Sequence, residues 1–445
     1  MFDLLIKNAV VVTPDRARSL NVAVKDGVIA ALLLPSETVE AQEIYDIPGS
    51  ILFPGLIDSH AHITYCGDIA SGSYTAASGG VTTLIEMPTS GWLPDVLDKN
   101  IFLERVREIN NTSAVDLALW GGVSASDLEK ISEVWEAGAA AFKVFLSDAG
   151  TYGSFSDWDL EQLFQKLHPY NGLVGIHAET ESICAAETKK SIECGAGPER
   201  NSDSRPVISE QLAVLRACKL ALNEHGRAHI CHISSADVID IIEDYRNKGA
   251  DLTAETCPHY LLLNDKDVIR CGSYAKCAPP LRSAEEVERL WECVLSGKID
   301  IIGSDHATYS EKQKEAGTVW EVPGGFPGLD LILSGLYTEG VVKRHLSPEQ
   351  LAKITSSNAA KAFGINYRKG SIEIGKDADF AVYDPAIKWR FHARNSFYNN
   401  KSDRYPYEDR LFQGKVTHTF VRGKLVFENG TIKTPNMGIF IPAHQ

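Results

Sequence analysis

Apolar positions change their rhythm twice along this chain. Residues 1–50 carry short apolar runs broken by turn residues: Leu4 to Val12, Leu20 to Val24, the turn Lys25-Asp26-Gly27, then Val28 to Leu32. Runs of this kind bounded by Gly and Asp predict strands. From Ile51 to about Gly364 the apolar runs alternate with helical spacing, which predicts βα units around a parallel sheet. Eight runs carry that reading: Leu52–Ile63, Val81–Met87, Val115–Val123, Ala139–Leu146, Leu173–Glu179, Ala228–Ile233, Asp251–Tyr260 and Ile299–His306. Between them Leu128, Ile131, Val134 and Trp135 recur at helical spacing, as do Leu212, Leu215, Leu220 and Ala221 more loosely. Ser283 to Glu286 and Ser347 to Gln350 read as capping boxes, the second with Pro348 at the first helical position. After Gly364 strand patterns return at Gly370–Ile374, Asp377–Asp384, Val416–Val421 and Lys424–Phe427, while residues 385–412 read as a loop.

Eight βα units predict an α/β fold: a TIM-type (β/α)8 barrel over residues 51–364, with catalytic groups at the C-terminal ends of its strands. The strand-rich ends, 1–50 and 365–445, predict one small β-sandwich domain built from discontinuous pieces.

The polar residues that interrupt the apolar runs fall at those strand ends. His60 and His62 close the first run, Ile57-Asp58-Ser59-His60-Ala61-His62. Residues two apart in a strand face the same side, so both imidazoles would enter one space, which suits two ligands on one metal ion. Two histidines packed near a strand end is the alternative. Further runs supply Lys143, His177, His229 with His232, and Asp305 with His306. That is enough for two metal ions on one rim. Lys143 sits among Ala, Phe and Val, where burial disfavours a charged amine. A neutral amine there could add carbon dioxide to give a carbamate able to bridge two metals; a lysine that snorkels or pairs with a carboxylate is the plainer reading. Asp305 suits metal binding and proton transfer, or else a helix cap. His229, three residues from His232, faces the other way. His259 and His306 lie near the rim and could meet substrate.

Composition narrows the class. The 445 residues are 44% hydrophobic and 23% charged with formal net charge −15, which argues against nucleic acid or an anionic membrane as partner. Nine cysteines, scattered from Cys66 to Cys293 without a C-x-x-C pair, read as reduced thiols. No uncharged apolar run reaches the ~18–20 residues of a membrane span, and the first residues lack a signal-peptide design. A cytoplasmic protein acting on a small molecule is the expectation.

Taken together, Pro54-Gly55-Leu56-Ile57-Asp58-Ser59-His60-Ala61-His62, Phe142-Lys143-Val144-Phe145, His177-Ala178-Glu179, His229 to Ser235, Glu255-Thr256-Cys257-Pro258-His259-Tyr260 and Gly303-Ser304-Asp305-His306 resemble the cyclic amidohydrolases of the amidohydrolase superfamily. That group includes hydantoinases, dihydropyrimidinases, dihydroorotases and allantoinases. The resemblance extends to Lys369–Asp379 and covers essentially the whole chain. It implies two divalent metal ions, zinc by usual expectation, with cobalt, manganese or iron also accepted by such ligands. His60, His62 and Asp305 would hold one and His177 and His232 the other. Lys143 would be carboxylated and bridge them. The group is often tetrameric.

Within the group the chain is most similar to allantoinases. Thr64 stands where dihydroorotases carry an arginine for the substrate carboxylate. Ile85–Pro88 and Val322–Gly328 resemble allantoinases, with Gly324 where hydantoinases place an asparagine. Ser147-Asp148-Ala149 occupies the region of a hydantoinase tyrosine. One departure is Ala278, where relatives often have serine. The implied reaction is hydrolysis of the ring amide of allantoin to allantoate, with Asp305 shuttling the proton. Substrate contacts are expected from Ser147, His259, the Ala278 backbone, Gly324 and Gly325. A hydantoinase or dihydropyrimidinase of broader tolerance is the alternative; a non-catalytic scaffold relative should lack several ligands, and this chain keeps all of them.

Overall fold

The computed structural model describes residues 1–91, 94–148 and 152–444. The N-terminal strands are β1 (Phe2–Val12), β2 (Ala17–Lys25), β3 (Val28–Leu33), β4 (Ala41–Asp46) and β5 (Ile51–Pro54). The central strands are β6 (Leu56–His62), β7 (Val81–Glu86), β8 (Asp116–Gly122), β9 (Ala141–Phe145), β10 (Leu173–His177), β11 (Arg227–Ile230), β12 (Asp251–Thr256), β13 (Ile301–Ile302) and β14 (His306–Ala307). The chain closes with β15 (Phe380–Arg390), β16 (Leu411–Val421), β17 (Lys424–Glu428) and β18 (Thr431–Ile432).

The central strands form one curled parallel sheet in the order β13-β12-β11-β10-β9-β8-β7-β6-β14, with helices between strands. The closed eight-stranded barrel expected from the sequence is not what the hydrogen bonding gives. The eighth run is split: β13 pairs β12 at one edge, β14 pairs β6 at the other, and no ladder joins β13 to β14 among the described residues. The break falls on Gly303, Ser304 and Asp305, and Asp305 has a left-handed backbone (φ 48°) that a continuous strand excludes. The first run splits too. At Pro54-Gly55 the chain leaves one sheet for the other, and a Cβ on Gly55 would lie 2.1 Å from Thr82 Oγ1.

Both chain ends enter a second sheet, as expected. It is a single mixed sheet of nine strands, β18-β17-β16-β15-β5-β1-β2-β3 with β4 beside β1, rather than a sandwich of two. β5 joins the halves, pairing parallel with β1 and antiparallel with β15. Inward residues such as Leu4, Ile6, Val22, Leu52, Phe380 and Phe420 make its core. The loop read over 385–412 is shorter, because β15 runs on to Arg390 and β16 begins at Leu411. The helix Val207–Asn223 forms where its spacing predicts, but Leu212 and Leu215 are 39% and 40% exposed. Ala213, Val214, Ala217, Cys218 and Ala221 face inward instead, small side chains that let helix and sheet approach. All nine cysteines are free thiols, and no helix of the described residues is long and apolar enough to cross a membrane.

Candidate metal centre

β6 delivers His60 and His62 to its C-terminal end, both buried and facing the same side, as two-residue spacing requires. Asp305 reaches them through the broken eighth run. Asp58, one turn of the pleat before His60, accepts the Ser304 N–H at 2.8 Å and the His60 N–H at 3.1 Å, and the Asp305 N–H donates to the His60 carbonyl at 2.8 Å. The left-handed Asp305 is thereby pinned beside both histidines, with Oδ1 3.3 Å from His60 Nε2 and 3.5 Å from His62 Nε2. These three ligand atoms lie within 4.8 Å of one another, close enough to hold one metal ion.

A second pair stands next to this group. His177 ends β10 and His232 follows β11 with φ 38°; His177 Nδ1 lies 3.0 Å from His232 Nε2. The His60 and His232 rings are 5.2 Å apart, which joins the two groups into one centre. Lys143 enters from β9. It is 1% exposed, and its Nζ has no hydrogen-bond partner among the described residues. The expectation that it snorkels out or pairs with a carboxylate is not met. A buried amine left unpaired among four imidazoles is costly, and this orphaned nitrogen fits a group that gains a negative charge and ligands to metal.

The far sides of three of the four imidazoles are anchored, and the His232 Nδ1 makes no hydrogen bond among the described residues. His60 Nδ1 meets Glu255 at 2.8 Å, His62 Nδ1 meets Thr89 Oγ1 at 2.9 Å, and His177 Nε2 meets Glu179 at 2.8 Å. Such partners set tautomer and ring orientation in metal sites. Glu255 also accepts the His232 N–H at 3.3 Å, holding the strained backbone there, and lies 3.2 Å from His229 Nε2. His229 thus points away from the centre, against Trp120 and Phe363.

Burial pushes the Asp305 carboxyl up, but His60 and His62 outweigh it and hold it below its usual range. Burial lowers His62 to about 4. Burial and Lys143 act the same way on His60, yet Glu255 and Asp305 prevail and raise it to about 10. The carboxylates therefore demand a cation at His60, and a metal ion meets that demand as a proton does.

His60, His62, Lys143, His177, His232, Asp305, Ala278, Gly324 and Gly325 all line one cavity of about 170 Å³. A wider open hollow of about 570 Å³ beside Glu181 and Arg205 gathers no such ligand set. Ser147 and His259 are buried but do not appear on the cavity wall; His259 packs against Tyr260 and Phe326. His306 is turned to the loop behind, accepting the N–H groups of Gly328 and Leu329. Ala149, named with Ser147, lies outside the described residues.

Residues 51–426 match the amidohydrolase family. This chain belongs to that family. Among its curated relatives is an allantoinase of Rubrobacter xylanophilus, 36% identical over 99% of this chain and 97% of its own length. An L-hydantoinase of Paenarthrobacter aurescens is 34% identical over 97% and 96%. The solved structure of an L-hydantoinase (dihydropyrimidinase) from Arthrobacter aurescens superposes with a TM-score of 0.95, at 33% identity over 99% of this chain and all of that one.

In this amidohydrolase several cavity residues escape sequence reasoning. Tyr65, Phe145, Ala307 and Tyr309 line the wall, and Tyr65 stacks on the His62 ring at 4.6 Å between centroids. Tyr65 and Tyr309 each follow a strand-end histidine by three residues, a signal visible only once the strand ends are known. Thr64 is no cavity residue: its hydroxyl bonds Glu86 at 3.0 Å inside the protein.

Proposed function

We propose that this amidohydrolase hydrolyses the cyclic amide of allantoin to allantoate. The observation that carries the reading is the convergence of His60, His62, His177, His232 and Asp305 around the orphaned Lys143 Nζ at the floor of one small cavity. We assign His60, His62 and Asp305 to one divalent metal and His177 and His232 to a second, with Lys143 as an N6-carboxylated bridge. Zinc is the metal we expect. When bound, the two cations would lower the pKa of a shared water towards neutrality and polarise the ring carbonyl.

The chain's own residues do the rest. Asp305, held ionised beside the histidines, takes the proton of the attacking water and returns it to the leaving ring nitrogen, which is a poor leaving group until protonated. Tyr65, Phe145 and Tyr309 give a small flat ring aromatic walls. Sites for drug-sized ligands run to ~300–1,000 Å³, so a cavity of about 170 Å³ suits a small ring. Among the described residues no arginine lines that wall, its one lysine is the carboxylated bridge, and Thr64 is turned inward to Glu86, so no guanidinium or free ammonium is placed to grip a substrate carboxylate. This disfavours dihydroorotate. Likeness to allantoinases across nearly the whole chain supports allantoin; the comparable likeness to L-hydantoinases favours hydantoins as the second reading.

We place the division at residues 1–50 with 365–445 for the sheet domain and 51–364 for the catalytic unit, whose first strand, β5 (Ile51–Pro54), pairs into the sheet domain, in a cytoplasmic homotetramer. The test is a ring-opening assay. Metal-replete protein prepared with bicarbonate is offered allantoin, hydantoin, dihydrouracil and dihydroorotate side by side. Preference for allantoin is expected; faster hydantoin or dihydrouracil turnover moves the protein to the second reading, and no turnover of any ring ends both.

A further inference from the structure

The cavity wall at Gly324 and Gly325 belongs to a segment, 318–328, with no helix or strand of its own. Its carbonyls cannot be paired within a ladder, yet buried carbonyls need donors. Two lysines from outside the segment supply them. Lys314 is 0% exposed, and its Nζ donates to the carbonyls of Gly325 at 2.6 Å, Pro323 at 2.9 Å and Ser273 at 3.2 Å. Three N–H donors meet three acceptors, which is the full capacity of an ammonium. Lys276 Nζ donates to the carbonyls of Val322 at 2.7 Å and Trp320 at 3.3 Å. The Gly325 N–H in turn donates to the Lys276 carbonyl at 2.7 Å.

Gly324 therefore sits between fixed points on both sides. Pro323 and Gly325 are tied to one ammonium, and that ammonium is tied through Ser273 to the segment that leads into Ala278. A Cβ built on Gly324 would lie 3.5 Å from the Cys277 backbone, so the two wall segments run side by side. Both offer main chain to the cavity, and neither is set by a helix or strand.

We propose that Lys314, seconded by Lys276, is a positioning residue that fixes the substrate-facing backbone of Gly324 and Gly325 against Ala278. The proposal rests on the cavity being the substrate site. Lys314 is no part of the cavity lining: its Nζ bonds backbone carbonyls and lies 5.0 Å from the centroid of the Tyr309 ring behind the wall. It acts by holding the wall at the spacing a small polar ring requires, so its loss costs substrate binding rather than metal binding.

The test is Lys314→Met in the full-length, metal-loaded protein, with Lys314→Arg and Lys276→Met beside it. Metal content is measured by atomic emission, and hydrogen exchange is followed at residues 318–328. For Lys314→Met we expect two metals per chain, as in the wild type, faster exchange confined to this segment and to Ser273, and a KM raised on the order of ten- to hundredfold with a smaller change in kcat. Lys276→Met should do the same more weakly, and Lys314→Arg should restore part of the protection. Unchanged exchange in the segment, or a fall in kcat and metal content with KM unchanged, overturns the proposal. If the wild type opens no ring, the functional reading fails, and the exchange data still decide whether Lys314 holds the wall.

Discussion

At the C-terminal ends of the parallel strands, His60, His62 and Asp305 bring their ligand atoms within 4.8 Å; at the N-terminal end of β8, Asp116, Asp377 and Asp379 do the same. Both groups would hold a cation by distance alone, yet the second already contains one. Lys369 Nζ lies 2.5 Å from Asp116, 2.6 Å from Asp379 and 2.8 Å from Asp377, and Arg422 and Arg368 pair with the same carboxylates. The Ile439 N–H donates to Asp116 as well, so this cluster staples the last segment of the chain to the central sheet. At the first group the lysine is arranged in the opposite way. Among the described residues Lys143 has no carboxylate partner, and Lys143 Nζ and His232 Nδ1 are left without hydrogen bonds beside an open cavity. Distance thus marks where a cation fits, and unpaired donors beside a cavity mark where the protein itself does not supply it.

The sharpest break between the two regions is Asp305→Asn. Turnover should fall by about 10²–10⁴-fold as the proton shuttle is lost; near-native rates in a steady-state assay would remove Asp305 from that role. Next in size, Lys369→Met should leave metal content and KM intact while destabilising the fold by about 3–5 kcal/mol, since buried carboxylates lose their counter-charge. Urea denaturation measures it. Burial lowers the Lys369 pKa, but Asp116, Asp379 and Asp377 outweigh it and raise it above the ordinary 10.5. A base whose pKa rises on folding stabilises fully below its unfolded value and loses that as pH climbs through the folded one. The gap between wild type and variant should therefore hold across neutral pH and close only in strong alkali.

Glu255→Gln should weaken metal binding by about 10–100-fold, because its carboxylate orients His60 and braces His232; competition with a chromophoric chelator reads this. If affinity is unchanged, the carboxylate is serving His229 and packing alone. The smallest effects separate two adjacent glycines. Gly325 has φ 115°, and a Cβ there would fall 2.9 Å from Ala307 Cβ, so Gly325→Ala should cost about 1–3 kcal/mol. Gly324→Ala meets nothing nearer than 3.5 Å and should fold as the wild type does, with a change in KM alone.

Much of this was legible in one dimension. The alternation of apolar runs and helical spacing located β6 to β12, and two-residue spacing put His60 and His62 on one face, because a strand's side-chain period is a local property. The placement of Lys143 inside an apolar run, and of His177, His232 and Asp305 at or just past the end of one, was legible for the same reason. Other features were not. The eighth run read as a strand, since its apolar residues fit one and the left-handed turn at Asp305 leaves no compositional mark. Leu212 and Leu215 fit a helical stripe but face outward, because the sheet admits only small side chains at that approach. Lys143 and Lys369 are both lysines in buried surroundings, and nothing local says that one meets three carboxylates and the other none.

The element order through β12, the family and a set of side chains whose chemistry suits a metal could be read along the chain, because all three depend on local spacing and residue chemistry. Tertiary structure alone decided which donors stay unpaired, which carboxylates turn towards which histidines, and how the Gly324 wall is held. Glu255 and His60 are 195 positions apart, and Lys369 and Asp116 are 253 apart. Pairings at that range are set by how the two sheets curl and meet, so their energetics exist only in the folded chain.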